Sequence, residues 1–378
     1  MPGDTNQATD VFVRDRLTGV TERVSVGPGG RQANSDSIGA AISPGGRYVA
    51  FTSYASNLVP GDTNYVGDVF VRDRVDRVTR RVSIGPGGRQ ANSGSSDSAI
   101  SADGRYVVFT SLASNLVPGD TNQANHVFVR DRVDRVTRRV SVGPGGRQAN
   151  SDSFEPAISP GGRYVAFRSY ASNLVPGDTN NEPDVFVRNR VDRVTRRVSI
   201  GPGGRQANSD SIKPAISPGG RYVAFESYAS NLVPGDTNRQ SDVFVRDRVD
   251  RVTRRVSVGP GGRQANRHSI EPAISRGGRY VAFYSFASNL VPGDAKHAPD
   301  VFVRDRVDRV TRLVSVGPGG QQANGGSFSP AISADGRHVA FHSGASNLVP
   351  GDTNGWGDVF VWDRFGDVAR DTTNRPAR

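Results

Sequence analysis

The sequence predicts an all-β fold, a six-bladed β-propeller made of four-stranded blades. First, the sequence repeats every 58 residues: Asp-Val-Phe-Val-Arg begins at Asp68 and returns at Asp184, Asp242 and Asp300. Second, Ala-Ile-Ser followed by a glycine turn occurs six times. Third, the apolar runs are short, alternate with polar residues and end at Gly, Pro, Asn or Asp, which is typical of strands. A chain of equivalent units forms a ring or a rod, so a solenoid is the alternative architecture.

Each repeat contains four predicted strands, which we call a, b, c and d. In the third copy they span Phe154–Ser159, Arg163–Ser169, Val185–Arg188 and Val194–Ile200. The a–b turn is Pro-Gly-Gly or Ala-Asp-Gly in most copies, which suits positive backbone angles, and the c–d turn is charged. In a propeller, strand a of each unit lines the central channel and strand d lies at the rim.

The repeats predict a single domain over residues 1–378, with blades at 35–92, 93–150, 151–208, 209–266, 267–324 and 325–378. Seven c strands accompany only six a and six b strands, and the last d strand is weak near Asp371. The N-terminal segment 1–34 carries a good d strand at Thr21–Val26, so we expect this hairpin to close the final blade and remove an exposed edge. A seven-bladed ring and a strand-exchanged oligomer are the alternatives to this monomer.

Composition excludes several kinds of site. The chain has no cysteine, which excludes disulfides, thiolate metal ligands and cysteine nucleophiles. No run approaches the roughly 20 apolar residues of a membrane span, and the N-terminus lacks the basic and apolar regions of a signal peptide. We therefore expect no membrane insertion. The net charge of +11 comes almost entirely from arginine, because Lys213 and Lys296 are the only lysines.

Two segments resemble a known repeat family. Ile100 to Ser111, Ile-Ser-Ala-Asp-Gly-Arg-Tyr-Val-Val-Phe-Thr-Ser, is similar to the core of the TolB-like, WD40-like (PD40) propeller repeat, and Val127 to Asp131 resembles that family's next strand. The resemblance implies a propeller and an extracellular or periplasmic setting, while fold alone says little about function. Propellers of this family accompany serine hydrolase domains in some peptidases, and this chain contains no hydrolase segment. Its b–c connection is longer than the family's.

The copies differ mainly at the start of strand a, the end of strand b and the residues before strand c. Antiparallel strands place these three zones at the same end of each blade, which predicts a binding face made by the d–a and b–c loops. Drift after recent duplication is the alternative explanation. We expect a noncatalytic binding or scaffold protein that recognises a protein or a glycan; a lectin-like propeller with calcium-stiffened loops is the alternative, followed by a hydrolase-associated propeller. The predicted stacking residues are Tyr54, Tyr170, Tyr228, Phe286 and Trp356, and those predicted to tune specificity are Arg168, Glu226, Tyr284 and His342.

The b–c loops carry a second candidate site. Asp-Thr-Asn followed three residues later by Asp places oxygen atoms at alternate positions of a glycine-led loop, which suits Ca²⁺. The alternative is an Asx turn, in which the side chain binds its own loop backbone. His126 and Lys296 interrupt the pattern in two copies. The predicted ligands are Asp62, Asn64, Asp68, Asp178, Asn180, Asp184, Asp236, Asn238, Asp242, Asp352, Asn354 and Asp358.

Two further features concern partners and catalysis. The basic c–d turn, as at Asp131 to Arg139, could hold an anionic polymer, but its interleaved aspartates favour cross-strand ion pairs on a solvated surface, so nucleic acid is not the expected partner. The five histidines occupy unrelated repeat positions and no Gly-x-Ser-x-Gly elbow accompanies them, so we predict no catalytic residue. These histidines are His126, His268, His297, His338 and His342.

Overall fold

The computed structural model describes residues 3–294 and 298–371, and these contain 26 strands. The strands are β1 Phe12–Arg14, β2 Thr21–Arg23, β3 Ser37–Ile42, β4 Tyr48–Ser53, β5 Asp68–Asp73, β6 Val78–Arg81, β7 Ser95–Ile100, β8 Tyr106–Ser111, β9 His126–Asp131, β10 Val136–Arg139, β11 Ser153–Ile158, β12 Tyr164–Ser169, β13 Asp184–Asn189, β14 Val194–Arg197, β15 Ser211–Ile216, β16 Tyr222–Ser227, β17 Asp242–Asp247, β18 Val252–Arg255, β19 Ser269–Ile274, β20 Tyr280–Ser285, β21 Asp300–Asp305, β22 Val310–Leu313, β23 Ser327–Ile332, β24 His338–Ser343, β25 Asp358–Asp363 and β26 Gly366–Asp371. Short 3-10 turns lie at Pro28–Gly30, Pro86–Gly88, Pro144–Gly146, Pro202–Gly204, Pro260–Gly262 and Pro318–Gly320.

The strands form six four-stranded antiparallel sheets and one two-stranded sheet at the N-terminus. In every four-stranded sheet the strands are neighbours in chain order, from β3–β4–β5–β6 to β23–β24–β25–β26. This is the predicted all-β six-bladed propeller fold of 58-residue repeats. No helix of the described residues is long and apolar enough to cross a membrane.

The predicted strand bounds of the third copy agree with the structure within about one residue, except in strand d. Strand d ends at Arg197 rather than Ile200, because the chain turns at Pro202–Gly204 and Ile200 makes only an isolated bridge to Gln206. A proline and two glycines cannot continue a ladder, so the outer strand is the shortest strand of the first five repeats.

The last sheet corrects the prediction that the N-terminal hairpin supplies its missing outer strand. That sheet has its own fourth strand, β26, and β1 pairs only with β2. The hairpin instead packs against the first repeat: the Ser37 amide donates to the Thr9 carbonyl at 2.7 Å, and Thr79 Oγ1 donates to the Val26 carbonyl at 2.6 Å. Later repeats make the same bond to the preceding repeat, as from Thr137 to Ile84. The N-terminal hairpin therefore acts as the outer half of a repeat that precedes the first.

The chain packs as two compact units, Met1–Arg197 and Val198–Arg378. The first contains β1 to β14 and the second β15 to β26. Within the first unit, Val108 and Val129 share a buried cluster with Phe167 and Phe186 of the following repeat. Each sheet thus packs against the sheets of the preceding and following repeats in its unit. Strands b and c are apolar on both faces for this reason.

Strand a contains a bulge in every sheet. Its pairing with strand b shifts register after the second residue, as between Phe154 and Ala157. The residue at the bulge has a positive φ in all six copies: Gly39, Asp97, Glu155, Lys213, Glu271 and Ser329. These are the variable positions that the sequence placed at the start of strand a, so their side chains leave the regular ladder.

A tyrosine on strand b packs against a glycine turn of the following repeat. The ring of Tyr106 covers Gly162, whose φ is +70°, and a Cβ atom at that position would overlap the ring. The guanidinium carbon of Arg190 lies 4.1 Å from the centre of the same ring. Two needs therefore select glycine here, a left-handed backbone and close approach to an aromatic face. The same contact joins Tyr48 to Gly104, Tyr222 to Gly278 and Tyr280 to Gly336.

Substitution of Gly162 tests this contact between repeats. Gly162→Ala should lower the free energy of unfolding by about 2 kcal/mol or more, because it adds backbone strain and a clash with Tyr106. Gly161→Ala is the matched control in the same turn, since a Cβ at Gly161 meets nothing within 4 Å; it should change stability by about 0.5 kcal/mol or less. Denaturant unfolding measures both, and equal losses would contradict the assigned contact.

Candidate functional site

Each four-stranded sheet has two chemically different ends. The loop end carries the b–c and d–a loops and the starts of strands a and c, and the turn end carries the a–b and c–d turns. All predicted stacking residues and loop aspartates belong to the loop end, because strands b and d finish there. The sequence therefore assigned the side chains to the correct end of each sheet.

The predicted stacking residues are exposed to very different degrees. Tyr54, Tyr170 and Tyr228 follow strand b at equivalent positions and are 53%, 44% and 43% exposed. Trp356, in the b–c loop of the sixth repeat, is 80% exposed. Phe286 is less exposed and is half-buried, because its ring packs edge-on to Tyr284 with ring centres 6.2 Å apart. Four of the five predicted rings thus offer an open face to solvent.

In the first unit, Tyr170 has a charged neighbour. The guanidinium carbon of Arg168 lies 5.9 Å from the Tyr170 ring centre and 5.1 Å from that of Phe154. Its Nε atom is 3.5 Å from a carboxylate oxygen of Glu155, the bulge residue of the same sheet. Arg168 therefore makes cation–π contacts with both rings, and Glu155 is its counterion.

In the second unit, rings from successive repeats contact one another. Tyr284 packs against Phe328 with ring centres 5.6 Å apart, and Tyr228 packs against His268 at 5.7 Å. Burial, together with the nearby carboxylates of Glu271 and Glu226, raises the pKa of Tyr284 to about 12. The Tyr284 hydroxyl is therefore a neutral hydrogen-bonding group at physiological pH.

Two of the residues predicted to tune specificity differ in burial, and only Glu226 departs from the expected surface position. Glu226 is 2% exposed, because its side chain at the end of β16 points into the protein, so it cannot contact a ligand at the surface. His342 is exposed and its ring covers Gly357, where any Cβ would overlap it. Sequence position alone did not separate these cases, because both residues occupy one repeat position.

The loop aspartates form an ion-pair network with an arginine of strand d. In the first repeat, Arg81 Nη1 lies 3.1 Å from Asp62 Oδ1, 3.0 Å from Asp68 Oδ2 and 2.9 Å from the Gln90 side-chain oxygen, to which it donates. Ser83 donates to the other oxygen of Asp68. The Asp68 side chain has no exposed surface. A guanidinium group thus supplies the positive charge between the two carboxylates.

The arginine recurs in most copies. The aspartate–arginine distances are 3.2 Å for Asp4–Arg23, 3.4 Å for Asp10–Arg23, 3.1 Å for Asp120–Arg139, 3.8 Å for Asp178–Arg197, 3.4 Å for Asp184–Arg197, 3.3 Å for Asp236–Arg255 and 3.7 Å for Asp242–Arg255.

The asparagine of the motif forms the Asx turn that the sequence left as an alternative. Asn238 Oδ1 accepts the backbone N–H of Gln240 at 3.0 Å, and its amide nitrogen donates to Asp242 at 2.9 Å and to the Ala265 carbonyl at 2.8 Å. Asn354 accepts the amide of Trp356 at 2.8 Å in the same way. The side chain therefore fixes the loop backbone.

Three copies depart from the arginine arrangement. In the second, His126 replaces the strand-c aspartate, and burial lowers its pKa to about 4, so the ring is neutral. In the fifth, Leu313 replaces the arginine and Gln322 donates to both Asp294 and Asp300 at 2.7 Å. In the sixth, the register places an aspartate opposite Phe360 where other sheets place the arginine. Lys296 and His297 of the fifth copy lie outside the described residues.

These networks do not fit a calcium ion in the copies with the arginine. Ca²⁺ takes six to eight oxygen ligands, whereas the Asp62 and Asp68 oxygens already bind Arg81 and Ser83. Over the described part of the chain, no cluster of three or more His, Asp or Glu side chains could hold a metal. Burial raises the pKa of Asp242 to about 6, although hydrogen bonds from Ser257 and Asn238 and the positive charge of Arg255 lower it.

The sequence pattern led to a calcium prediction because the loop aspartates were considered without the strand-d arginine that lies beside them. The alternation of strand d contains the signal: in Val78–Arg81 exposed and half-buried side chains alternate, so Arg80 faces solvent and Arg81 faces the sheet. The sequence prediction also did not select Tyr65, which is 91% exposed in the first b–c loop.

Comparison with known proteins shows the fold. No family model matches the chain, and no curated protein matches its sequence. Among solved structures, the β-propeller domain of the Trilobed protease from Pyrococcus furiosus is 10% identical with a TM-score of 0.54, over 89% of this chain and 84% of that one. An oligogalacturonate lyase in complex with manganese is 14% identical with a TM-score of 0.57, over 94% and 82%.

TolB from Acinetobacter baumannii is 12% identical with a TM-score of 0.48, and the match covers 86% of this chain. The chain spans 63% of the length of that TolB. The match to the β-propeller domain of the Trilobed protease shows that this chain has a β-propeller fold. At these identities the likeness concerns the fold and not the activity.

Arg81→Gln tests the ion-pair network against its neighbour on the same strand. Removing Arg81 leaves Asp62 and Asp68 buried without their cation, so we expect a loss of about 3–5 kcal/mol in the free energy of unfolding. Arg80→Gln is the matched control and should change stability by about 0.5 kcal/mol or less, since Arg80 is exposed. Denaturant unfolding measures both; a small loss for Arg81→Gln would mean that the network contributes little.

A thermal melt in EDTA and in millimolar calcium tests the calcium prediction. Because arginine lies between the carboxylates, we expect the two midpoints to agree within about 1 °C. A native-state site saturated at 100 times its dissociation constant would add about 2.7 kcal/mol, which would raise the midpoint by several degrees. Such a rise would show that a loop binds calcium despite the arginine, and magnesium at the same concentration controls for ionic strength.

Proposed function

We propose that this protein is a noncatalytic binding module that recognises a protein or a glycan through the loop ends of its sheets. The observation that carries the proposal is the set of half-exposed tyrosines at one repeat position, Tyr54, Tyr170 and Tyr228. Trp356 adds a fourth exposed ring in the b–c loop of the sixth repeat. Exposed rings at the loop ends combine a large apolar face with a hydrogen-bonding group, which is the chemistry of a recognition surface.

A glycan is the ligand class that we favour. Tyr170 lies beside Arg168 and Glu155, and Tyr228 lies beside His268, so each ring is accompanied by polar groups. A sugar presents both an apolar face of C–H groups and a set of hydroxyls, which such a pairing complements. The Asx turns and ion pairs of the b–c loops favour a preformed glycan site at the loop ends, because little loop entropy is lost on binding.

The histidines support a noncatalytic role. His268 Nδ1 lies 3.2 Å from Ser241 Oγ, but Ser241 is completely buried and cannot act as a nucleophile on a solvent-borne substrate. His126 is buried and neutral. If this chain served beside a separate hydrolase domain, we propose that it would still bind its ligand through the loop ends of its sheets.

A glycan array followed by calorimetry on the best oligosaccharide tests the proposal. Tyr170→Ala and Tyr228→Ala should each weaken binding about tenfold, since one stacked ring contributes about 1 kcal/mol or more beyond its buried area. Val191→Ala is the control: it is exposed at the turn end of the sheet that carries Tyr170, and it should leave the affinity unchanged.

Binding that survives both tyrosine substitutions would contradict the loop-end site. No array signal for the wild-type protein would contradict the glycan and leave a protein ligand for the same surface. Activity that disappears in His342→Ala while the fold is intact would contradict the noncatalytic assignment.

A further inference from the structure

Each unit contains a cleft lined with arginine, away from the loop-end aromatics. In the first unit, a cleft of about 1010 Å³ runs along strand β6 and is closed by the turns of the next repeat. Its charged lining residues are Arg47, Arg80, Arg81, Arg105, Arg130, Arg132, Arg135, Asp73, Asp76 and Asp103. We call this the first arginine cleft.

Ion pairs neutralise only some of these arginines. Arg47 lies 2.8 Å from Asp73 and 3.0 Å from Asp76, and Arg105 makes the same pair of contacts within its own repeat. The turn aspartates thus pair with the arginine that follows the a–b turn. Arg81 is paired with Asp62 and Asp68. Among the described residues, no ion pair involves the other four arginines of the cleft, which are Arg80, Arg130, Arg132 and Arg135.

Arg130 is the most informative of the four. It is 7% exposed, and its side chain donates one hydrogen bond, to Thr137 Oγ1 at 3.1 Å. Burial lowers its pKa; Asp131 opposes this and Arg135 adds to it. A buried guanidinium without a carboxylate partner is costly, so an anion in the cleft would stabilise it.

The second unit repeats the arrangement. A cleft of about 500 Å³ is lined by Arg254, Arg255, Arg304, Arg306 and Arg309, with no acidic residue in its lining. These arginines correspond, three repeats later, to Arg81 and to the four unpaired arginines of the first cleft. We call this the second arginine cleft. Arg304 resembles Arg130 in that burial lowers its pKa and its side chain donates to Thr311 at 3.0 Å.

We propose that the two arginine clefts bind a small oligophosphate anion. Four guanidinium groups that form no ion pair among the described residues line each cleft. The planar guanidinium donates two parallel hydrogen bonds to phosphate oxygens. The first cleft has the volume of a small-ligand site rather than a polymer track. This inference does not depend on the loop-end aromatics or on the proposed glycan ligand.

Calorimetric titration with inorganic tripolyphosphate tests the proposal. We expect saturable binding to at least two sites per chain, weakened about tenfold or more when salt is raised from about 50 to 200 mM, because the contacts are charged. The double variant Arg80→Gln with Arg254→Gln removes one exposed arginine from each cleft and should lower the affinity at least about tenfold.

The control variant Arg89→Gln with Arg263→Gln removes the same charge from exposed positions in the d–a loops of the same two repeats. It should bind tripolyphosphate like the wild-type protein. Equal losses in both double variants would show attraction by net charge alone and would overturn the cleft assignment, as would the absence of any binding to the wild-type protein.

A second arm separates the sources of phosphate. A ten-residue oligothymidylate carries phosphodiesters along a polymer, whereas tripolyphosphate is a free small anion. Tripolyphosphate that binds more tightly than the oligonucleotide, per site and at equal salt, supports the proposal. The opposite order would overturn the small-anion assignment in favour of a nucleic-acid backbone.

Discussion

The contact between the strand-d arginine and the buried aspartate of strand c organises the loop end of the first, third and fourth repeats. Arg81 binds Asp68 at the start of strand c, Asp62 in the b–c loop and Gln90 after the 3-10 turn, so one side chain joins three segments to its own strand. A carboxylate as buried as Asp68 is stabilised by a positive charge and by several hydrogen-bond donors. The loop end of the sheet is consequently a fixed framework, and residues between its anchored points can vary without loss of the fold. The fifth repeat illustrates the constraint, since Leu313 replaces the arginine there and Gln322 bridges the two aspartates instead.

The alternation of strand d gives adjacent arginines opposite roles. Arg81 faces the sheet and neutralises carboxylates, whereas Arg80 faces the cleft and solvent. The turn aspartates, which could have neutralised Arg80, are held by Arg47 of the a–b turn. The charge of +11 is therefore not spread evenly over the protein. The loop ends present aromatic rings with local counterions, and the clefts along strand d present cations without them, so the two regions suit ligands of different chemistry.

Contacts between repeats explain which positions stay constant. The tyrosine at the start of strand b covers a glycine of the following repeat, and a strand-d threonine donates to the preceding repeat. The residue type at each of these positions is therefore constrained by contacts with the neighbouring repeat. The bulge of strand a is different, because a glycine, three acidic residues, a lysine and a serine occupy it with the same positive φ. Variation is thus tolerated where the side chain leaves the ladder and is suppressed where a neighbouring repeat packs.

The sequence by itself determined the all-β fold, the 58-residue unit, the four strands of each repeat and the end of the sheet that carries Tyr54, Tyr170 and Tyr228. These follow from local periodicity and from antiparallel connectivity, which require no knowledge of packing. Only the tertiary structure decided that β26 completes the last sheet and that Glu226 is buried while His342 is exposed. It also decided that Arg81 lies between Asp62 and Asp68, while Arg80 and Arg130 pair with no carboxylate of the described residues. The physical reason is that burial and charge pairing depend on side chains far apart in the chain, and a repeat motif does not specify which of several aspartates each arginine meets.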